Sequence, residues 1–424
     1  MAISARRQRR RRLLMLLFIG QLLCLMLWGV LWPRSQTVEL SFVIPQDEVA
    51  PWQQLSQAFE QAHPGVRISL VTDPNTTYTT DQRKAIYTAD FQANQARYDL
   101  VYMDIIWVAQ FADQLQDLTP LVRRDGLDLK GFLPSELEAG RYGDGLYRLP
   151  MRADVGLLYY RQDLLAEPPA TLNQLNQTVD RLKQQGQTQV GYLWQGRSYE
   201  GLVVNFVEAL ASLGGRWIDP ATGQPELDSP AAIAAARLLR QLIATGVSPT
   251  IVTDYTEQAS LEAFLSEPAL LLRGWPYFRF AMEALSDNVA IAPPLAFGEK
   301  PGVGCRGGWG FGIPKNAAHG DLAWEAIQYF TSIAAQKEFV LTSGFLPSRP
   351  ELFQDADIVT RYPQMPDMLK LLQSASTFRP AIPQYGEASE ILQEALGKVL
   401  RNQQPAAAAM AQAQTETATL LNRQ

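Results

Sequence analysis

The chain has 424 residues, of which 47% are hydrophobic and 19% charged, a composition typical of a folded protein with more than one core. Seven arginines precede residue 36 without any acidic residue, which leaves 30 basic and 43 acidic side chains, a net charge of −13, for residues 37–424 and argues against a nucleic-acid-binding surface. The two cysteines and two histidines are too few for a disulfide framework, a zinc cage of Cys and His ligands or an iron–sulfur cluster, so we expect no metal or other cofactor.

Residues 1–36 have the features of an N-terminal signal or transmembrane segment. A block of arginines at 6–12 precedes Leu13–Trp32, a 20-residue stretch without charge, which at about 1.5 Å per residue can cross a hydrocarbon core of about 30 Å. The arginines should stay in the cytoplasm and send the remaining chain outward. Because no small-x-small site ends the stretch, we expect an uncleaved tether to the inner membrane. Leu23 before Cys24 disfavours lipid attachment.

The folded part begins with alternating strand and helix patterns. Apolar residues alternate at 38–44 and 66–70 and run together at 100–103, which predicts three strands. Trp52, Leu55 and Phe59 have helical spacing, and a second helix is predicted near residues 78–94. This βαβαβ order implies a parallel sheet with helices on its faces.

A second series begins near residue 146. The run 155–160 is typical of one buried strand, and residues 270–272 and 289–291 predict further strands. Helical patterns lie at 171–185, 200–213, 230–245 and 257–266. Glycine and proline concentrate at 293–314, which we interpret as a crossing between lobes. The fold class is therefore α/β, with two lobes.

The glycine-rich segment also matches G-x-G-x-x-G at residues 302–307. A dinucleotide site needs a strand before this motif and a helix beginning at its last glycine. Three prolines precede it here and a non-helical segment follows, so we exclude nucleotide binding. Cys305 within it is expected to be a buried, inert thiol.

Aromatic residues recur beside acids, amides or arginines at predicted strand ends and turns. Sugars need this combination, because their C–H faces lie on aromatic rings while carboxylates, amides and guanidinium groups hold their hydroxyls. In open α/β sheets such groups gather outside the carboxyl ends of the strands. The clusters are residues 103–107, 194–200, 273–277, 307–309 and 378–380.

These segments resemble the extracellular solute-binding proteins of ABC transporters, of the trehalose/maltose-binding type. The resemblance extends in order from about residue 37 to residue 400. It is carried by Phe59-Glu60 through Pro64-Gly65-Val66, Met103-Asp104 through Trp107, Gly156-Leu157-Leu158-Tyr159-Tyr160-Arg161, Trp194-Gln195-Gly196 with Tyr199-Glu200-Gly201, Trp275-Pro276-Tyr277 and Gly307-Gly308-Trp309.

The resemblance implies a two-lobed clamp, like that of periplasmic binding proteins, with three crossings and a sugar in the cleft. We expect lobe I to comprise residues 37–152 and 310–352, and lobe II residues 153–309 and 353–424. By their match to the family pattern, the expected sugar-binding residues are Glu48, Arg83, Asp104, Asp154, Gln195, Tyr199, Glu200, Trp275, Tyr277, Gly307, Gly308, Trp309 and Arg379. Arg152 replaces an aromatic residue that is frequent in the disaccharide branch, which allows a more polar or anionic ligand.

The resemblance predicts a non-enzymatic protein that captures a di- or oligosaccharide outside the cytoplasmic membrane and passes it to ABC permease subunits. The alternative is a glycoside hydrolase that uses two of the carboxylates of Glu48, Asp104, Asp154 and Glu200 as acid and nucleophile. Such an enzyme needs one carboxyl with a raised pKa and a fixed separation between the two groups. Spacing along the sequence does not give that separation.

Overall fold

A computed structural model describes residues 37–75, 77–282, 288–298 and 300–423. The expected membrane segment and Cys24 lie outside these residues. Within the described ranges, no helix has both the length and the apolar character required for a membrane span.

Strands and helices are numbered here in chain order. The strands are β1 (Val38–Val43), β2 (Val66–Val71), β3 (Val101–Asp104), β4 (Arg141–Tyr142), β5 (Gly145–Leu146), β6 (Leu149–Val155), β7 (Leu157–Arg161), β8 (Val190–Leu193), β9 (Ala269–Gly274), β10 (Val289–Ala292), β11 (Gly304–Gly312), β12 (Leu346–Pro347) and β13 (Ser376–Thr377). The helices are α1 (Val49–Ala62), α2 (Thr80–Gln92), α3 (Val108–Phe111), α4 (Thr119–Asp125), α5 (Pro134–Glu138), α6 (Leu172–Gln184), α7 (Glu200–Ser212), α8 (Pro230–Ala244), α9 (Glu257–Ser266), α10 (Phe278–Ala281), α11 (Gly320–Phe330), α12 (Ile333–Ser343), α13 (Ala356–Arg361), α14 (Met365–Ser374), α15 (Tyr385–Leu400) and α16 (Ala406–Leu421).

The expected parallel sheet is only partly present. β1 and β2 pair in parallel, with Val38 opposite Val66. β3 instead pairs antiparallel with β11, and β11 also pairs antiparallel with β6. The parallel pair β1-β2 is therefore separate from the sheet of β3, β6, β11, β12 and β13, which is mixed because β13 pairs with β11 in parallel. β11 lies within the glycine- and proline-rich segment 293–314, and although five of its nine residues are glycine, all nine are buried strand residues.

The predicted strand at 155–160 is divided at Gly156. β6 ends at Val155 in the sheet with the order β12-β6-β11-β13, and β7 begins at Leu157 in a second sheet with the order β10-β7-β9-β8. The amide of Gly156 donates to the carbonyl of Cys305, 3.0 Å away, at the start of β11. The chain thus passes from one sheet to the other beside the first residues of β11.

The helices follow from their apolar spacing and caps. In α6, Leu172, Leu175, Val179 and Leu182 are buried along one face, and Thr171 and Gln174 form a capping box at its start. α7 is buried on almost every side and packs against α8 and α15. Around α1, edge-to-face aromatic contacts of Trp52 with Phe42, Tyr102 and Phe311 fill the core beneath the first sheet.

Candidate functional site

A cavity of about 450 Å³ lies between the turn at the start of α2, the ends of β3, β6 and β9, the middle of β11, and the first turns of α7 and α9. Of the thirteen expected sugar-binding residues, ten line it. They are Glu48, Arg83, Asp104, Asp154, Glu200, Trp275, Tyr277, Gly307, Trp309 and Arg379. The volume lies in the range of small-molecule sites.

Arg152 organises one wall of the cavity. Its Nη2 donates to Glu48 Oε1 at 2.9 Å, its Nη1 donates to Asp154 Oδ2, and its Nε donates to the Tyr102 hydroxyl at 2.9 Å. The guanidinium also lies 3.7 Å from the centre of the Phe345 ring. Every nitrogen of Arg152 has a protein partner. Because its positive charge is paired with carboxylates of the wall, it does not favour an anionic ligand.

Asp154 retains one free acceptor in the same wall. Its Oδ1 is buried and has no hydrogen-bond partner. Burial raises the pKa of Asp154 to about 7, against the opposing effect of the Arg152 cation. A ligand hydroxyl that donates to Oδ1 would supply the missing bond.

Arg379 joins two predicted carboxylates on the other side of the cavity. Its Nη2 donates to Asp104 Oδ1 and its Nη1 to Glu200 Oε1, both at 2.8 Å. Glu200 also accepts from the Tyr385 hydroxyl and from Ser389 Oγ, the latter at 2.7 Å. Burial raises the pKa of Glu200, and Arg379 opposes this effect. The Nε of Arg379 is buried without a partner and is a candidate ligand donor.

Trp309 was expected to offer its face to a sugar, but Arg83 covers that ring. The guanidinium carbon of Arg83 lies 3.5 Å from the ring centre, and Tyr102 and Trp107 pack around the indole at 5.2 and 5.3 Å. Trp309 is 5% exposed, so it is both a core residue and a part of the wall. Arg83 Nε and Nη1 are buried without hydrogen-bond partners, and burial lowers the pKa of this side chain. The Trp309 indole therefore supports the Arg83 guanidinium, whose free nitrogens can donate hydrogen bonds to a ligand.

Trp275 and Tyr277 form the aromatic side of the cavity after the end of β9. Trp275 is half-buried, and Arg273 lies behind it with its guanidinium carbon 4.1 Å from the ring centre. Arg273 is fixed in turn by Glu208 at 2.6 Å. A Cβ at Gly307 would approach the indole to 3.3 Å, so this glycine leaves room beside the ring. Of the two predicted indoles in the wall, Trp275 is the better stacking surface.

Three expected contact residues do not line the cavity and instead support its wall. Gln195 is fully buried, and its Nε2 donates to Ser260 Oγ at 2.7 Å and to the Arg273 carbonyl at 3.0 Å. The Tyr199 hydroxyl donates to Glu257 at 2.6 Å. Gly308 has φ +154°, and a Cβ there would come within 2.4 Å of a Glu136 oxygen. Sequence patterns did not show whether these residues face the cavity or the interior of the protein.

Several lining residues escaped the sequence prediction. Asp47 precedes Glu48 in the turn after β1, and burial together with the Glu48 charge raises its pKa to about 6. Glu257, which begins α9 behind the Thr256 cap, lines the cavity, as does Arg197. The position of Asp47 beside a predicted site acid was a usable signal. No comparable sequence signal marked Glu257, because an acidic residue in the first turn is common in any helix.

Two mixed sheets whose strands border a polar cavity with an aromatic side define a protein that binds a small solute. Residues 45–337 match the family described as bacterial extracellular solute-binding protein. The chain belongs to this family, whose members act outside the cytoplasm in import. Its relatives are binding proteins, so the glycoside hydrolase alternative is wrong.

Individual relatives agree with the family. A probable ABC transporter-binding protein of Deinococcus radiodurans is 27% identical over 354 residues, which cover 79% of this chain and 82% of that protein. The structure of maltose-bound MalE3 of T. maritima has a TM-score of 0.84 at 27% identity, covering 90% of this chain and all of that one. A solute-binding protein of Agrobacterium radiobacter K84, solved with ribitol, has a TM-score of 0.80 at 25% identity and covers 90% and 98%. The fold is thus the two-lobed fold of maltose-binding proteins.

Proposed function

We propose that the protein captures a di- or oligosaccharide of the trehalose/maltose class in the cavity and delivers it to the permease of an ABC importer. The observation that carries this proposal is that one cavity is lined both by a half-buried indole, Trp275, and by unpaired polar atoms of Asp154, Arg83 and Arg379. An indole stacks on a pyranose face, while a free carboxylate oxygen and free guanidinium nitrogens bond its hydroxyls.

The balance of donors and acceptors favours a neutral ligand. Each wall has one arginine shared by two carboxylates, Arg152 by Glu48 and Asp154 and Arg379 by Asp104 and Glu200, so neither wall has an excess of positive charge that would favour an anionic ligand. A hydroxyl both donates and accepts, so it can satisfy the free Asp154 oxygen and the free Arg83 nitrogens alike. The maltose bound to the T. maritima relative supports this ligand class, and the ribitol of the second relative adds linear polyols as test ligands.

Binding would proceed by closure of two lobes. We propose that residues 37–152 and 310–352 form lobe I and that residues 153–309 and 353–424 form lobe II, with the cavity between them. Asp104 and Arg83 would then contact the ligand from lobe I, and Trp275 from lobe II. A ligand that touches both lobes only in the closed state shifts the population toward that state.

We further propose that residues 13–32 remain attached and tether the protein to the outer face of the inner membrane. The support is the 20-residue uncharged stretch behind the arginine block. Such a tether would keep the binding protein near its permease.

Equilibrium binding to the purified full-length protein tests the proposed ligand class. Radiolabelled maltose and trehalose should be retained stoichiometrically, and at 100 times its dissociation constant a ligand should stabilise the native state by about 2.7 kcal/mol. Trp275→Ala should lose most of this retention, while Ile251→Ala, an exposed residue outside the cavity, is the matched control. Release of free glucose, or the absence of any thermal shift with sugars and polyols, would refute the proposal.

A further inference from the structure

Outside the cavity, α7 begins without a cap of its own. Its N-cap residue, Tyr199, has an extended backbone and makes no side-chain cap hydrogen bond. The amide of Glu200, the first residue of α7, instead donates to Asp81 Oδ2 at 3.0 Å. Asp81 lies in the first turn of α2, 119 residues earlier in the chain, and does not line the cavity. One helix therefore caps the start of another helix.

This contact joins the two sides of the cavity. The N-terminal turn of α2 lines one side through Gln82 and Arg83, and the first turn of α7 lines the other through Glu200 and Gly201. Asp81 connects them at the rim. Lys84, one turn further along α2, lies 4.0 Å from Asp81. It also reaches the start of α15, where a Cβ at Gly386 would lie 2.9 Å from its Nζ.

The same helix start carries a site residue. The backbone of Glu200 is held by Asp81, and its side chain is held by Arg379, Tyr385 and Ser389. Arg379 in turn contacts Asp104. A movement of α2 away from α7 would break the contact of Asp81, and a movement of Asp104 away from Arg379 would break the second link. Both links therefore require the two sides to be together.

We infer that Asp81 is a positioning residue that holds the cleft closed by capping α7 across it. This inference rests on the proposed closure of two lobes over a ligand. A carboxylate that accepts from a helix-start amide forms a charge-assisted bond aligned with the helix dipole. If this bond exists only in the closed state, its loss lowers the closed fraction and weakens every ligand by the same factor.

An equal loss of affinity for every ligand distinguishes Asp81 from a residue that contacts the ligand. A residue in the wall contacts different ligands differently, so its removal should change their affinities by different factors. Loss of closure should also act on the dissociation rate, because the closed complex opens sooner. We expect Asp81→Ala to raise the dissociation constant about tenfold, both for a disaccharide and for a smaller polyol.

The experiment uses the full-length protein with maltose and ribitol as probes. Dissociation constants come from calorimetry and dissociation rates from stopped-flow tryptophan fluorescence. Asp81→Asn keeps an oxygen acceptor of the same shape but loses the charge, so its affinity should lie between those of the wild type and Asp81→Ala. Asp321→Ala is the matched control, since Asp321 is also the second residue of a helix and pairs with Arg124 at 3.1 Å outside the cavity. It should leave both affinities unchanged.

Amide hydrogen exchange at Glu200 gives a readout that does not depend on the ligand's identity. In the wild type, the Glu200 amide should exchange slowly, either at all times or once a probe is bound. In Asp81→Ala the same amide should exchange faster. Equal exchange in the wild type and Asp81→Ala under all conditions would overturn the inference, as would unequal affinity losses for the two probes. A protected Glu200 amide with no binding of either probe would support the cap and overturn only the proposed ligand class.

Discussion

Trp309→Ala tests whether one side chain serves both the core and the ligand site. The indole is 5% exposed and packs against Tyr102 and Trp107, while the Arg83 guanidinium lies on its face at 3.5 Å. The family resemblance predicts Trp309 as a sugar-binding residue, and a residue with that role alone could be removed with little loss of stability. The packing around the ring predicts that stability falls as well.

The expected magnitude follows from these contacts. Truncation of a buried Trp or Phe to Ala costs about 3–5 kcal/mol. A desolvated cation–π contact contributes up to about 2 kcal/mol, but Arg83 borders the cavity and can turn toward water once the ring is gone. We therefore expect the free energy of unfolding to fall by about 3–5 kcal/mol in total. Affinity should fall at least tenfold, about 1.4 kcal/mol, because Arg83 loses the surface that orients its free nitrogens.

Urea unfolding gives the stability of the variant, and calorimetry with the best-binding sugar gives the affinity of its folded fraction. Trp324→Ala is the matched control, because Trp324 is fully buried in α11 and donates to Asp125 at 2.6 Å away from the cavity. It should lose comparable stability without losing affinity. Wild-type stability of Trp309→Ala would refute the core role, and normal affinity would remove both Trp309 and Arg83 from the site.

Three further outcomes follow from the site and the leader. Asp154→Asn should weaken sugar binding at least tenfold in calorimetry while the protein stays folded, since the charge-assisted bond at Oδ1 contributes about 1.5–3 kcal/mol; unchanged affinity would place the ligand elsewhere. Asp104→Ala should cost about 3–5 kcal/mol of stability in urea unfolding, because it breaks a buried pair with Arg379; wild-type stability would show that Glu200 alone suffices for Arg379. Intact-mass measurement of protein extracted from membranes should show the complete leader, and a mature start near residues 30–36 would contradict the proposed tether.

Local elements were predictable because their causes are local. The helix expected at 257–266 is α9, Glu257–Ser266, which begins behind a Thr256 side chain that accepts from the Ala259 amide. The alternating residues of β1 and β2 likewise predicted their strands. β11 escaped because a strand dense in glycine has the composition of a loop. Only its pairing with β3, β6 and β13, from distant parts of the chain, makes it a strand.

The ion pairs of the site could not be predicted for a different reason. Arg152 meets Glu48 from 104 residues away, and Arg379 meets Asp104 from 275 residues away. Family resemblance proposed these residues as ligand contacts, but it did not show that they bind one another first. Spacing along the chain carries no information on such distances, which follow only from the order of the strands in the sheet.

The buried acids around the cavity should make stability depend on pH. Burial raises the pKa of Asp154 and of Glu136 to about 7 and that of Asp47 to about 6, from ordinary values near 4. Between the ordinary pKa values near 4 and the raised values of the folded protein, the folded protein thus binds more protons than the unfolded chain. Stability from such groups is fully present below the unfolded pKa and is lost as the pH rises through the folded pKa.

Unfolding in urea at pH 5.5 and pH 8 measures this dependence. Each group with a folded pKa near 7 should contribute a loss of roughly 2 kcal/mol between these two values, since one pKa unit corresponds to 1.36 kcal/mol. Asp154→Asn should remove one such contribution and flatten the profile. Asp163→Asn is the control, because its pKa is lowered by the hydrogen bond from Arg161 and it titrates below this window. If stability rises from pH 5.5 to pH 8, or if both variants show the wild-type slope, the buried carboxyls are ionised throughout and Asp154 meets its ligand as a permanent anion.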